Sequence, residues 1–242
     1  MAVKAGAVLH RAQTLIQDNT GIRWPLPELA QWLNDATREV TLYKPAASSE
    51  SVVLDLEHGT RQTIPPGALM LLRVIRNLRS GSTASNRKGA RAVRLVNRDV
   101  LDTQHPEWHD ENGAEFGSIA RHFVFDESDP TAFYVFPGND GEGVVEALVS
   151  QAPPPIDEAG TTLADYEMDM PLPDVYANAV LDYVLYRAYS KDASFAENME
   201  RANAHYNAFS SSLGAKTSSE FSGGANHAPY RVTRDRVGTG GQ

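Results

Sequence analysis

A chain of 242 residues, 41% of them apolar, is long enough for one large or two small domains around a sizeable core. Its 22 basic against 31 acidic residues leave a net charge of −9, which argues against a dedicated nucleic-acid binder but not against a wall that DNA passes without being gripped. There is no cysteine, so disulfides and thiolate metal sites are excluded, and neither a signal peptide in MAVKAGAVLHRAQTL nor a run of membrane-spanning length is visible; the expectation is a soluble protein made in a cytoplasm, with no membrane partner.

Val8, Ala12, Leu15 and Ile16 share one face of a first helix, which Asp18-Asn19-Thr20-Gly21 ends. Trp24 precedes a proline and is pushed to an extended conformation. Pro27 suits the first turn of a second helix, where its missing N–H costs nothing. Leu29, Trp32, Leu33, Ala36, Val40 and Tyr43 mark its apolar face up to the stop at Lys44-Pro45. Then the period changes. Val52, Leu54 and Leu56 alternate with Val53, Asp55 and Glu57 as in a half-buried strand, His58-Gly59 signals a turn, and Thr60 to Ile64 fits a returning strand. Leu69 to Leu78 reads as a strand because Pro65-Pro66-Gly67 and a flexible Gly/Ser loop, Ser80 to Gly89, bound it. Ala92 to Val96 reads as another, and Asn97 can cap a short helix through Leu101. His105 to Gly117 is polar and irregular. Ile119 to Phe125, Ala132 to Phe136 and Val144 to Val149 are strand-like and separated by the turns Asp126 to Pro130 and Pro137 to Gly141. Short strands with short turns predict an antiparallel meander. Pro153-Pro154-Pro155 stiffens the exit.

Pro173 to Gly214 is the most strongly patterned stretch, two helices with a tight break. The first is apolar nearly all round. Val180, Val184 and Ala188 form one row, Leu181 and Leu185 another, and only Asn178, Asp182 and Tyr186 make a thin polar strip. Such a helix is covered on several sides, at a bundle centre or between subunits. The second carries Phe195, Met199, Ala202, Tyr206, Phe209 and Leu213 at steps of four and three, the seam of one helix on another, and Gly214 follows where a left-handed cap residue belongs. Beyond it, AKTSSEFSGGANHAPYRVTRDRVGTGGQ is locally basic and too poor in apolar residues to build a core by itself.

Neither terminal helix pair buries its apolar faces alone. The predicted fold is therefore α+β: a discontinuous four-helix bundle (residues 1–46 with 172–214), an inserted antiparallel β-rich domain (47–171) and an extended C-terminal arm (215–242).

His105, His109, Asp110 and Glu111 lie in HPEWHDE, where two histidines four apart have the spacing of a metal pair on a helix face. Pro106 and Gly113 oppose a helix there, so the expectation is a surface loop tacked to the sheet by Trp108. Asp126, Asp129, Asp140 and Glu142 have the chemistry of acid/base pairs or a calcium site, but they sit in turns, where Asp bonds nearby backbone N–H groups. Gly138 to Gly143 lacks the following helix that a phosphate cradle needs, and no serine sits in a GxSxG elbow. No catalytic residue, cofactor or metal is expected. Arg79, Arg87, Lys88 and Arg91, with Arg94, flank the Gly/Ser loop; they read as a solvated hairpin tip or as a contact for DNA phosphate or an acidic tail protein. Tyr176, Tyr183, Tyr186 and Tyr189 are core by default, yet the all-round apolar helix leaves surface for a subunit interface, where Tyr is common and to which Arg187 is assigned with them.

Three stretches, RWPLPELAQWLNDATREV, LEHGTRQTIPPGALMLLRVIRN and LDYVLYRAYSKDASFAENMERANAHYNAF, resemble the head-to-tail adaptor (connector) proteins of tailed bacteriophages, including the tail tubular protein A type of short-tailed phages. The likeness runs from Gln13 to Gly214 and is most specific in the RWP-x-x-EL-x-x-W-x-N opening and the YVLYRAYSKDA helix end; neither is a catalytic motif. The resemblance implies a non-enzymatic virion protein with a helical bundle and an inserted β domain. It implies a dodecameric ring beneath the portal protein, at the head–tail junction, that extends the channel for double-stranded DNA and offers a platform to the tail tube or nozzle protein, with assembly in the host bacterial cytoplasm. In relatives the C-terminal segment docks on the portal, which points here to Tyr230, Arg231, Val232, Arg234 and Arg236. An arm so poor in apolar residues gains order on a partner, and a ring of identical sites multiplies the effect. The alternatives are a tail completion or terminator protein, which also forms rings, and a tail-associated glycan hydrolase using the turn carboxylates.

Overall fold

The computed structural model describes residues 2–126, 128–192 and 196–223, without the side chains of 196 and 216–223. The α+β expectation holds: among the described residues five α-helices accompany two sheets.

Helix α1 (Ala5–Ile16) buries Val8, Leu9, Ala12 and Ile16 and leaves Leu15 exposed. It ends through Gln17, which takes a left-handed φ of 59°. Asp18 closes the turn: its carboxylate accepts from the backbone N–H groups of Ile22, Arg23 and Trp24 at 3.1, 2.8 and 2.8 Å. Helix α2 (Leu26–Tyr43) follows, with Pro27 in its first turn and Leu29, Trp32, Leu33, Ala36 and Val40 buried. Tyr43, the last position of the expected face, stays half exposed.

Helix α4 (Ala177–Lys191) begins after a 3-10 turn at Asp174–Tyr176 and packs against α1, α2 and α5 of its own chain. That is the covering its all-round apolar surface requires. Helix α5 (Ala196–Gly223) corrects two expectations. It runs through Gly214, so no left-handed cap stands there, and the segment expected to be extended from 215 continues as helix to Gly223. A glycine inside a helix costs about 1 kcal/mol against alanine, too little to stop a helix whose neighbours stay helical. Of the expected seam, Ala202, Phe209 and Leu213 are buried, whereas Met199 and Tyr206 remain partly exposed. Phe195 lies outside the described residues.

Eight strands, β1 (Ser49–Asp55), β2 (Gly59–Thr63), β3 (Ala68–Leu78), β4 (Gly89–Ala92), β5 (Arg94–Leu95), β6 (His122–Phe125), β7 (Ala132–Asn139) and β8 (Val144–Gln151), build two four-stranded sheets. Their orders are β1-β8-β3-β4 and β2-β7-β6-β5. Leu71, Val74, Val145, Ala147 and Val149 of the first sheet share one core with Phe123, Phe133 and Val135 of the second. The meander is thus a correction. β1 and β2 do not return on each other, β7 and β8 separate into different sheets, and β5 runs parallel to β6. The reason is burial, since one flat layer would leave its apolar face wet and two layers cover it. Asn139 makes the corner between β7 and β8. It is fully buried, its Oδ1 accepts from Gly141 and Gly143 at 2.8 and 3.2 Å, and its Nδ2 donates to the Gly117 carbonyl.

Helix α3 (Arg98–Gln104) is capped by Asn97 as the sequence predicts, the side chain accepting from Asp99 N–H at 3.0 Å. Leu101, Trp108 and Val124 then form a small core on the outer face of the second sheet. The strap between β8 and α4 joins the helices: Ile156, Tyr166 and Met170 belong to the helical core, although the sequence places residues up to 171 with the insertion, and Leu172 lies in that core as expected. Asn34 on α2 holds it, accepting from Ile156 N–H at 2.8 Å and donating to its carbonyl at 3.0 Å. At Gly6 the helix and the strap touch backbone to backbone, since a Cβ there would lie 3.0 Å from the Leu163 carbonyl oxygen.

Candidate functional site

The two most specific parts of the resemblance, RWPLPEL and YRAYSKD, meet in space and clasp the first two helices to the fourth. Trp24 Nε1 donates to the Ala188 carbonyl at 3.1 Å. The Arg23 guanidinium pairs with the Asp192 carboxylate. Lys191 reaches Glu28 at 2.5 Å and the Arg23 carbonyl at 3.1 Å, and Asp192 also accepts from Asn198 at 2.8 Å. The Asp18 carboxyl that shapes this turn is held below the usual carboxylate range, first by the Trp24 amide and, against the penalty of burial, by those of Arg23 and Ile22. Arg23 and Asp192, Trp24 and Ala188, and Glu28 and Lys191 are each separated by more than 160 residues, so residue spacing alone carries no sign of these pairings.

An aromatic cluster sits on α2, α4 and α5. Tyr183 and Phe209 form its floor, with ring centroids 5.2 Å apart. Tyr186 lies 5.0 Å from Tyr206, whose hydroxyl is 3.3 Å from that of Tyr43. The hydrogen bond with Tyr43 pushes the Tyr206 phenol up to about 12. Of the expected interface residues, Tyr176, Tyr183 and Tyr189 are buried within their own chain, and Tyr186 and Arg187 are half-buried. Tyr43, Leu42 and Tyr206 are exposed instead. The missed signal is the C-terminal end of the α2 pattern, where an apolar row outlasts the partner that covers it.

The arginine loop divides. Arg87 folds back over the first sheet: its Nη1 donates to Glu146 at 2.6 Å and its Nη2 to the Ser51 carbonyl at 2.7 Å. Arg76 Nε bonds the same carboxylate at 2.7 Å. Burial pushes the Glu146 carboxyl up, but Arg87, Arg76 and Ser51 together outweigh it and hold the group below its usual value. The loop is therefore tied down at Arg87, while Arg79, Lys88 and Arg91 are exposed. Arg91 has company. Burial first, then the charge of Arg91 and, against a backbone hydrogen bond with Arg94, those of Arg94 and Arg121 hold the His122 imidazole below its ordinary value.

The HPEWHDE stretch scatters. His105 stacks on Phe136, His109 hydrogen-bonds Thr60 at 2.7 Å, Asp110 accepts from Asn112 N–H, and Glu111 faces His58. Trp108 is buried, as expected, and donates to Asp102 at 2.8 Å. Among the described residues no group of three His, Asp or Glu side chains is placed to hold a metal. Asp126 and Asp140 accept from the amides of Ser128 and Glu142, and Asp129 pairs with Arg61 and Thr131. The turn carboxylates thus serve their turns. Tyr230, Arg231, Val232, Arg234 and Arg236 lie outside the described residues. No described helix is long and apolar enough to cross a membrane.

Residues 3–233 match the family model of the SU10 adaptor protein. Among curated proteins none matches the chain.

Proposed function

The chain belongs to the SU10 adaptor family, phage head-to-tail adaptors, and from that premise we propose that it forms a ring between portal and tail and continues the DNA channel. As a structural phage adaptor it is a virion component that works by contact with other head and tail proteins. The observation that carries the reading is the extent of the match, 3–233, which spans the folded unit and is not confined to one local site. The clasp supports it by making one helical body of the chain's two ends. We read α1, α2, α4 and α5 as the bundle of this unit, and the rim of exposed Tyr43 and Tyr206 with half-buried Tyr186 and Arg187 as a face for a neighbouring protein.

The arm beyond Gly223 docks on the portal through Tyr230, Arg231, Val232, Arg234 and Arg236. Arg79 and Lys88, exposed at the tip of the β3–β4 hairpin, are offered to the tail protein or to passing phosphate. A net charge of −9 suits a conduit, because a strongly basic wall would hold the DNA. Neutralising acidic residues on the channel wall is expected to slow DNA ejection; unchanged ejection counts against this part.

Electron microscopy of the protein mixed with its portal decides the reading. A twelve-fold ring seated on the portal is the expected image. A ring that takes the tail tube and ignores the portal assigns a tail-completion role, and a persistent monomer overturns the ring.

A further inference from the structure

The sandwich has two open sides, and they carry opposite charge. Edge strands β1 and β2, joined by residues 56–58, lie on one side; β4 and β5, joined by Val93 alone, lie on the other. The β1/β2 side presents Glu50, Asp55 and Glu57, all exposed. The β4/β5 side presents Arg91, Arg94 and Arg121, also exposed, and the Arg94 amide bonds the Arg121 carbonyl at 3.2 Å. Among the described residues none of the six enters an ion pair. Every residue of β4 and β5 is exposed, so their outer edge is bare as well as basic. Open strand edges are normally covered or blunted by charge. Arg61, the exposed cation of β2, is paired with Asp129, so the unpaired charge of each side is the one that the opposite side lacks.

We propose that successive copies of this chain join head to tail through these sides, the arginine edge of one against the carboxylate edge of the next. The two patches differ, so the contact is heterologous: each added copy presents both patches again, and growth stops only when a ring closes. Opposite charge sets the direction, because two like edges repel. A phosphate backbone would satisfy the arginines but leave the carboxylate side without a role, whereas one contact between copies uses both. The inference rests on the ring reading above and names the surface that closes it.

Two triple variants test it, Arg91→Glu/Arg94→Glu/Arg121→Glu and Glu50→Arg/Asp55→Arg/Glu57→Arg. Native mass spectrometry and light scattering, alone and with the portal, read their assembly at about 0.05 M and about 0.5 M salt. Wild type is expected to assemble, and more completely at low salt. Each variant carries one charge on both sides and is expected to stay monomeric. An equimolar mixture restores assembly, a rescue that misfolded proteins cannot give; the neutral set Arg91→Gln/Arg94→Gln/Arg121→Gln checks for a weaker loss of the same kind. Variants that assemble alone like wild type overturn the inference and leave the ring standing. Variants that assemble normally but lose DNA retention assign the arginines to phosphate and also overturn it. Wild type that stays monomeric with its portal overturns both the ring and this surface.

Discussion

Gly214 separates two accounts of the C-terminal helix by a single methyl group. In the structure it is an exposed helical position with open space where a Cβ would go. Gly214→Ala is therefore expected to stabilise the protein by about 0.5–1 kcal/mol, read as a rise in melting temperature. A left-handed cap would give the opposite sign, because alanine is strained there. Asn34 makes the larger demand. It is 1% exposed and satisfies both backbone groups of Ile156. Asn34→Ala leaves that N–H and carbonyl without their partner and is expected to cost about 2–4 kcal/mol in urea denaturation. Residues of this kind were hard to read in advance. A buried Asn and an exposed one look alike in a sequence, and Asn34 lies on α2 among residues chosen for the core. Asn97 was legible because its partner is two residues away.

The elements were legible wherever their chemistry is local. α2 starts at its proline, β3 is bounded by its turns, and β6, β7 and β8 stand on their aromatic and branched residues. Pairing was not legible. Ser49 opposes Ser150 in register, and no short-range pattern reports a partner so distant. The clasp has the same character, and acid is expected to weaken it at Asp18 as it weakens the sandwich at Glu146. The carboxyls of Asp18 and Glu146 are both held below their usual values. A depressed carboxyl adds stability above its unfolded pKa, and that stability is lost as pH falls through the folded value. The loss thus begins below about pH 4. Asp18→Asn is expected to flatten the fall in unfolding free energy across that window, measured by urea denaturation at a series of pH values. Trp24→Phe removes the donor to the Ala188 carbonyl and is expected to cost about 1 kcal/mol at all pH values.

For the molecule as a whole, the family was legible in three stretches of sequence, and the two most specific of them meet in the clasp. What docks outside the chain was not. The aromatic rim of Tyr43, Tyr186 and Tyr206 is assembled from three helices, and each contributes a residue that would pass for core on its own. The continuation of α5 to Gly223 also moves the place where the arm is best cut. Deletion of residues 224–242 is expected to leave the melting temperature unchanged and abolish portal binding, assayed by co-sedimentation. Undiminished binding by the truncated chain would remove the docking role of the arm.

The position of α4 has a consequence for synthesis. α1 and α2 are made first, yet the helix that covers them starts at Ala177. At about 5–20 residues per second, their apolar faces wait roughly 7–30 s on the ribosome for cover. The sandwich has all its strands by Gln151 and can be complete before then. A nascent chain halted before α4 would expose Leu29, Leu33 and Val40, and a chaperone that holds apolar helices would find it there and release it once translation passes Leu213.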